Sequence, residues 1–358
     1  MTCTRTRPAS GRWRRLRSRP ALTVVAAMVL VAVVVGVWVL QSRASEPPGV
    51  ALPLRPVGEV ALPGDSSRFD YASLDPGRGL LFIAHLGASE VIEVDVRSGQ
   101  VVRTIPGLAG VHGVLVVPER HRVYATATTD DTMITLDEDT ATVLGRTPTG
   151  AYPDGLAYDP AHATIWTTNE TGGNETVIDA GTGAPRGSVE LGGQAGNVAY
   201  DPVTGQMLAD DQDSNELVVI DPATLAITRR VPLPGCEHAH GLTLAPADRV
   251  AFIACDDNAR LLTVDLTTVQ LRPATAQVGS QPDVLAYDPG LHRLYVAAES
   301  GPLTVLDTTG TTLTVTGRGP LGDGAHVVAL DPATHRTYYP IPHGAGGRPV
   351  LRAYAPTR

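Results

Sequence analysis

The chain has 358 residues, of which 43% are hydrophobic, enough for a large buried core. Glycine (37) and proline (29) are both frequent, which is typical of many short strands joined by turns. Eight of the 28 basic residues, all of them arginine, lie in residues 1–43 with no acid, so the remainder carries 20 Arg against 37 acids, a formal charge of −17. Such a surface repels nucleic acid and anionic lipid, so no nucleic-acid partner is expected.

The N-terminal segment has the pattern of a signal anchor. Residues 1–20 are arginine-rich and residues 21–40 are an unbroken apolar run. Twenty apolar residues at ~1.5 Å rise can span a hydrocarbon core of ~30 Å. The basic side favours the cytoplasm, which places residues 44–358 outside. We therefore predict a basic cytoplasmic tail, a single transmembrane helix in the cell membrane and a polar linker over 41–55. A cleaved signal peptide is the open alternative, although its apolar region normally has only ~7–15 residues.

A repeat follows the linker. An apolar stretch that ends in a proline turn occurs seven times, with intervals of 42, 42, 42, 44, 43 and 43 residues between the prolines. Such regularity is the mark of a repeat architecture. The prolines are Pro76, Pro118, Pro160, Pro202, Pro246, Pro289 and Pro332.

Each copy holds four short strands with alternating side chains. The first leads into the proline turn, the second follows it, and the third ends in most copies on an aspartate that can cap a tight turn. These aspartates are Asp95, Asp137, Asp179, Asp221, Asp265 and Asp307. Four strands in about 42 residues is the spacing of a propeller blade. The predicted fold is all-β, a seven-bladed β-propeller with four-stranded blades over residues 56–358.

Closure of the ring can be predicted as well. The last copy has three strands before the chain ends, and the stretch Gly58 to Leu62 precedes the first copy as an unpaired fourth strand. We predict that this N-terminal strand completes the last blade, because open terminal edges would invite aggregation.

The repeats resemble the YVTN/YncE-like β-propeller family over residues 56–355. The closest matches to its motif are Leu294-Tyr295-Val296-Ala297 and Leu217-Val218-Val219-Ile220-Asp221. The resemblance implies the fold and leaves the function open, because related propellers include lactonases, a streptogramin lyase and metal-bearing oxidases.

One column of residues stands out at the predicted channel mouth. First strands start and second strands end on one face, where the variable loops lie, and six residues before each proline a polar side chain recurs. The column reads Asp70, His112, Asp154, Gly196 with Asn197 next to it, His240, Asp283 and His326. Imidazole beside carboxylate suits a divalent metal ion or proton transfer near neutral pH.

Two interpretations of this ring remain open. A single ion cannot contact all six titratable groups, so we expect His240, Asp283 and His326 to dominate as metal ligands, with two imidazoles flanking one carboxylate. The structural alternative is turn chemistry around a water-filled pore, because three of the ring residues precede glycine. Further polar side chains are expected at the same mouth from the second-strand ends: His85, Asn169, Glu170, Asp211, Asp256 and Glu299, with His238 and His343 at the rim.

Two of the three cysteines fall in blade five. Cys236 enters the blade and Cys255 ends its second strand. An oxidising compartment favours a disulfide between them. The alternative is a thiolate metal ligand beside His238 and His240.

Two classes of function are compatible with these observations. The preferred one is a membrane-anchored extracytoplasmic module that binds an unidentified small molecule or protein at the channel mouth. The alternative is a metal-dependent enzyme, a lactonase-like hydrolase or an oxidoreductase, that uses the His/Asp ring. The sequence identifies no cofactor, and a divalent metal ion is the candidate. No zincin, C-x-x-C, nucleophile-elbow or phosphate-loop motif occurs in the sequence.

Overall fold

The computed structural model describes residues 1–2 and 47–357, and from residue 47 onward the chain forms seven antiparallel sheets. The predicted tail, the predicted transmembrane helix over 21–40 and most of the linker lie outside the described residues. Among the residues that are described, no helix has the length and apolar character needed to cross a membrane.

Four sheets correspond to the first four repeats, each with its strands in sequence order. Blade one has β2 (Ala72–Asp75), β3 (Leu80–His85), β4 (Glu90–Asp95) and β5 (Gln100–Pro106). Blade two has β6 (Val111–Val117), β7 (Arg122–Ala127), β8 (Thr132–Asp137) and β9 (Val143–Pro148). Blade three has β10 (Pro153–Asp159), β11 (Thr164–Asn169), β12 (Asn174–Asp179) and β13 (Pro185–Glu190). Blade four has β14 (Ala195–Asp201), β15 (Gln206–Asp211), β16 (Glu216–Asp221) and β17 (Ala226–Pro232).

The last three sheets contain the irregular features. Blade five has β18 (Ala239–Ala245), β19 (Val250–Cys255), β20 (Arg260–Asp265) and a fourth strand split into β21 (Gln270–Leu271) and β22 (Ala276–Gln277). Blade six has β23 (Pro282–Asp288), β24 (Arg293–Ala298), β25 (Pro302–Asp307) and β26 (Thr314–Pro320). Blade seven has β27 (Ala329–Asp331), β28 (Arg336–Ile341), β29 (Val350–Pro356) and β1 (Leu54–Ala61). Short 3₁₀ turns occur at Leu86–Ala88, Pro118–Arg120, Thr128–Asp130 and Ala345–Gly347.

The seven sheets close into a ring around their innermost strands. Strands β2, β6, β10, β14, β18, β23 and β27 each contact the next in this order, and β27 contacts β2. The prediction of an all-β, seven-bladed propeller with four strands per blade is therefore confirmed. The innermost strands define a central channel, and their first residues lie at one mouth of it.

The predicted closing strand is also present. β1 pairs antiparallel with β29 from Leu54 against Pro356 to Ala61 against Val350, with a bulge between Pro56 and Gly58. The strand begins earlier than the predicted Gly58, inside the stretch expected to be linker. The chain before it is ordered too, because Val50 forms a bridge with Arg318 of blade six.

The aspartate caps predicted at the third-strand ends close the turns on the opposite face. Asp95 accepts a hydrogen bond from the backbone N–H of Arg97 at 2.8 Å, a geometry that favours a tight turn. Asp75, before the proline of blade one, does the same for Gly77 at 2.8 Å. These repeated turns fix the register of each hairpin.

A buried glutamate interrupts the regular core packing. Glu175 on β12 is fully buried, both of its side-chain oxygens lack a hydrogen-bond partner, and burial raises its pKa well above the usual range. The Cα register pairs it with Thr168. The equivalent positions in the other six blades are apolar and buried: Val91, Met133, Leu217, Leu261, Leu303 and Leu351.

We expect Glu175→Leu to raise the free energy of unfolding by about 1–3 kcal/mol, because it replaces an unpaired buried carboxyl with the side chain that other blades use. The folded state holds the proton to a higher pH than the unfolded state, so wild-type stability falls as the pH rises above the usual value of 4.5. The gain should therefore be larger at pH 8 than at pH 5 in urea unfolding. Glu175→Gln, the matched control, should remove only the pH dependence. A destabilised Glu175→Leu variant would contradict this account.

Candidate functional site

The ring residues lie where the innermost strands begin, and β-bulges set their direction. The register is shifted between Val111 and Val114 in blade two and between Pro153 and Leu156 in blade three, around His112 and Asp154. Similar shifts occur in blades four, five and six. A bulge re-aims a side chain relative to a regular strand. Asp70 lies two residues before β2, and His326 lies three residues before β27.

The glycines that follow three ring residues have a packing role. A Cβ on Gly113 would lie 2.2 Å from the carbonyl oxygen of Asp154, and one on Gly241 would lie 2.2 Å from that of Asp283. Both glycines lie within strands and have ordinary negative φ values. Glycine is therefore needed for close approach of neighbouring blades, and the interpretation of these pairs as turn residues was wrong.

Three ring residues converge on one point. His326 Nε2 lies 3.8 Å from Asp70 Oδ2 and 3.7 Å from Asp283 Oδ2. The ligand atoms of this trio all lie within 4.8 Å of one another, and all three residues are buried. His326 Nδ1–H donates to the carbonyl oxygen of Gly324 at 3.0 Å, while Nε2 has no hydrogen-bond partner. A carbonyl on the far nitrogen is how proteins commonly orient an imidazole towards a metal ion.

A second trio shares Asp70. His112 Nε2 lies 3.2 Å from Asp70 Oδ2, and the ligand atoms of Asp70, His112 and Asp154 also lie within 4.8 Å of one another. The Thr128 hydroxyl donates to the carbonyl oxygen of Pro153 at 2.6 Å, so it can only accept from His112 Nδ1–H, 3.2 Å away. This hydrogen bond orients the ring so that Nε2 faces Asp70.

The charges of the two trios stabilise one another. Burial opposes ionisation of Asp70, but His112 and His326 outweigh it and hold the pKa of that carboxyl well below its usual range. Burial also opposes protonation of His112, but Asp70 and Asp154 raise its pKa to about 9. Without a metal ion, the imidazoles therefore serve as the counter-charges of the carboxylates.

On the side of the ring that contains Asp154 and His240, the carboxylate charge is less completely neutralised. Burial raises the pKa of Asp154 to about 6, although His112 and His240 oppose it. Burial lowers the pKa of His240, but Asp283 and Asp154 outweigh it and raise the value to about 10. Asp154 Oδ1 lacks a hydrogen-bond partner. This carboxylate is thus the least neutralised ring member.

The predicted ligand set of His240, Asp283 and His326 is only partly brought together. The two imidazoles do flank one carboxylate, since His240 Nε2 lies 3.3 Å from Asp283 Oδ1 and His326 lies next to Oδ2. They face different oxygens of it, and the compact trio contains Asp70 in place of His240. Asp70 belongs to this trio because the ring closes: β27 contacts β2, which brings Asp70 of blade one beside His326 of blade seven.

An arginine that sequence reasoning missed lies over the acidic centre. Arg68 Nε is 2.8 Å from Asp70 Oδ2, Nη2 is 3.8 Å from Asp283 Oδ2, and Nη1 pairs with Glu299. The first two oxygens are those that face His326. Arg68 therefore neutralises the same atoms that a metal ion would use. Its position two residues before the column gave no repeat-based signal.

Asn197, which follows the blade-four column position Gly196, contacts a side chain from across the channel. Asn197 Oδ1 accepts a hydrogen bond from the Tyr71 hydroxyl at 2.6 Å. Tyr71 belongs to blade one, three blades away, so the bond crosses the channel axis. The sequence does contain a sign that Tyr71 has a special role, because three other blades have glycine at the equivalent position. These glycines are Gly113, Gly155 and Gly241.

The second-strand ends divide into two groups. His85 lies against Phe69 with ring centroids 4.4 Å apart and contacts Glu90, while Asn169 donates to Asn174 and Asp211 pairs with Arg230. These three hold their own blades together. The residues that directly follow the second strands of blades three to six line a cavity of about 300 Å³ above the ring. They are Glu170, Gln212, Asp256 and Glu299. Arg68, Tyr152 and His238 line the same cavity. His343 lines a neighbouring surface depression, whose lining also includes His326.

The predicted disulfide joins Cys236 and Cys255, with the Cα atoms 5.3 Å apart. Cys236 lies in the loop before β18 and Cys255 ends β19. The sulfurs are bonded to each other, so neither is a metal-binding thiolate. The bridge holds the loop of His238 against Asp256, whose N–H donates to the His238 carbonyl at 2.9 Å.

We expect replacement of both Cys236 and Cys255 by serine to lower the free energy of unfolding by roughly 3 kcal/mol, because the bridge closes a segment with a sequence separation of 19. Urea unfolding of the variant and of the wild type, each with and without a thiol reductant, measures the loss. The reductant should change only the wild type. Two free thiols in peptides mapped without reduction from native protein would contradict the disulfide.

No protein-family model matches this chain, and no curated protein matches it. Among solved structures, the chain is similar to a chain of Kuenenia stuttgartiensis hydrazine synthase, with a TM-score of 0.70 and 16% identity over 81% of this chain and 96% of that one. At this identity the likeness shows the fold alone. The comparisons and the structure thus agree on a seven-bladed propeller, and assignment to the YVTN/YncE-like family stays a prediction.

Proposed function

We propose that this protein is a membrane-anchored, extracytoplasmic binding module that holds a divalent metal ion at the mouth of its propeller. The primary ligands are Asp70, Asp283 and His326, with His112 and Asp154 next to them. One imidazole nitrogen with carboxylate oxygens suits a first-row ion such as Zn²⁺ or Mn²⁺ better than Ca²⁺, which prefers oxygen alone.

The observation that supports this proposal best is the environment of His326. Its side chain is 2% exposed, its Nδ1–H is committed to a carbonyl, and its Nε2 faces two carboxylate oxygens without a hydrogen bond. A buried ring nitrogen without a partner is costly. A bound cation would supply that partner and would also neutralise the carboxylates of Asp70 and Asp283.

Location outside the cytoplasm is supported by two independent features. The arginine-rich start and the apolar run over 21–40 have the pattern of a single-pass anchor. The Cys236–Cys255 disulfide fits an oxidising compartment. Both features favour a propeller displayed on the outer side of the cell membrane.

Titration of the metal-stripped protein with Zn²⁺, Mn²⁺, Cu²⁺ and Ca²⁺ in a calorimeter tests the proposal. We expect about one transition-metal ion to bind per chain, with little or no heat from Ca²⁺. Elemental analysis of untreated protein should find the resident metal. No heat with any ion, together with no stoichiometric metal, would leave the ring as a purely structural charge network.

A metal-dependent hydrolase or oxidoreductase is the second candidate. The cavity of about 300 Å³ above the metal ligands favours it, because a small substrate could reach the ion there. Assay of the metal-loaded protein with a panel of lactones would test the hydrolase. Metal binding without turnover would favour the binding module.

A further inference from the structure

The wall of the cavity formed by blades three to five is rich in acceptors without partners. The Glu170 side chain makes no hydrogen bond or ion pair with any of the described residues. Asp256 has His238 as its ion-pair partner there, with Oδ2 3.9 Å from Nδ1. Gln212 donates its amide N–H to the carbonyl oxygen of Ala195 at 2.7 Å, which leaves its buried Oε1 unpaired. A ligand that pairs with these acceptor oxygens must therefore donate hydrogen bonds.

Two strong donors that line the cavity already have acidic partners. Arg68 is bound to Asp70 and Glu299, and His240 lies against Asp283. These partners, Asp70, Glu299 and Asp283, belong to blades one and six. On the opposite wall, Glu170 has no ion-pair partner among the described residues and Asp256 has only His238, at 3.9 Å, so a ligand there should carry a positive charge.

An aromatic ring lies at the edge of this wall. Tyr152 is 38% exposed and has a φ of 59°, a left-handed conformation that is uncommon for a tyrosine. Two hydrogen bonds of 2.9 Å hold it there, from its N–H to Asp131 Oδ1 and from the Glu170 N–H to its carbonyl oxygen. Its ring packs beside His112. A fixed, exposed tyrosine next to carboxylates is suited to cation–π contact with an organic cation.

We propose that the channel mouth binds a small alkylammonium ligand, with its amino group between Glu170, Gln212 and Asp256 and its alkyl part against Tyr152. The inference rests on the proposed binding function of the mouth, but it does not depend on the metal ion.

Calorimetric titration of the full-length protein with putrescine, in chelator and at physiological salt, is the test. We expect a Kd of about 1 mM or tighter and no binding of 1,4-butanediol, which matches its length without the charge. The Glu170→Gln/Asp256→Asn double variant should weaken binding about tenfold or more, because it keeps the shape and removes both charges. Glu119→Gln, an exposed residue of the Pro118–Arg120 turn on the opposite face, should leave the affinity unchanged.

Equal affinity of the wild type and the double variant for putrescine, or no binding to the wild type, would overturn the inference. The same double variant should keep the Zn²⁺ affinity of the ring, since neither residue is in the two trios that contain Asp70; Asp256 belongs to a separate third cluster with His238 and Asp257. Binding of putrescine by protein that binds no metal would refute the metal proposal alone. Binding of metal by protein that binds no putrescine would refute the alkylammonium site alone.

Discussion

Removal of residues 54–61 is expected to abolish the cooperative folding of the whole ring. These residues form β1, which pairs with β29 over its full length and is the outer strand of blade seven. Without it, β29 becomes an unpaired edge and the partly buried Val60 no longer covers the cluster that contains Phe69 and Leu81. Because blade seven closes the ring against blade one, the loss should spread to both neighbours.

Thermal melting followed by near-ultraviolet circular dichroism measures this effect, and size-exclusion chromatography detects the aggregation expected from the open edge. Deletion of residues 47–50 is the matched control, because it removes a segment of similar position whose only strand pairing is the Val50–Arg318 bridge. It should shift the melting temperature by a few degrees at most. An unchanged melting temperature after deletion of 54–61 would show that the ring closes without β1.

The repeat made most of the fold predictable. Seven proline turns at nearly constant spacing are a global signal, and a displacement of a few residues in one strand does not alter it. The start of β1 was missed because Leu54 to Val57 contain Pro56, which reads as linker. An outer strand tolerates a proline, since one of its edges needs no partner, and Pro56 lies at the bulge. The split fourth strand of blade five has a similar cause, because Pro273 falls between its two halves.

The candidate site was predictable only where the repeat itself specifies position. The column six residues before each proline identified the ring, because equivalent positions of a repeat lie at one height around the axis. Direct contacts between blades were outside this reasoning: Tyr71 crosses the channel and Arg68 reaches three acids from a loop. The role of Gly113 was missed for the same reason, since it depends on the neighbouring blade.

Substitution of Asp70 should have the largest effect on metal binding, because Asp70 is the one residue common to both ligand trios. We expect Asp70→Asn to abolish Zn²⁺ binding and His326→Ala to weaken it about a hundredfold or more. Calorimetry of the metal-stripped variants measures both, and circular dichroism verifies that they remain folded. Retention of wild-type affinity in Asp70→Asn would place the ion elsewhere.

Arg68→Gln is expected to change the affinity in the opposite direction. The Arg68 guanidinium lies 2.8 Å from Asp70 Oδ2 and 3.8 Å from Asp283 Oδ2, so a metal ion must displace it from at least the first of these oxygens. Removing the competing cation should raise Zn²⁺ affinity about tenfold or more, which corresponds to about 1.4 kcal/mol. Arg146→Gln, an exposed arginine whose side chain donates to the Gly107 carbonyl, removes the same charge away from the mouth and should have little effect. A simple role in stabilising the loop predicts the reverse result, since the affinity would then fall with Arg68→Gln.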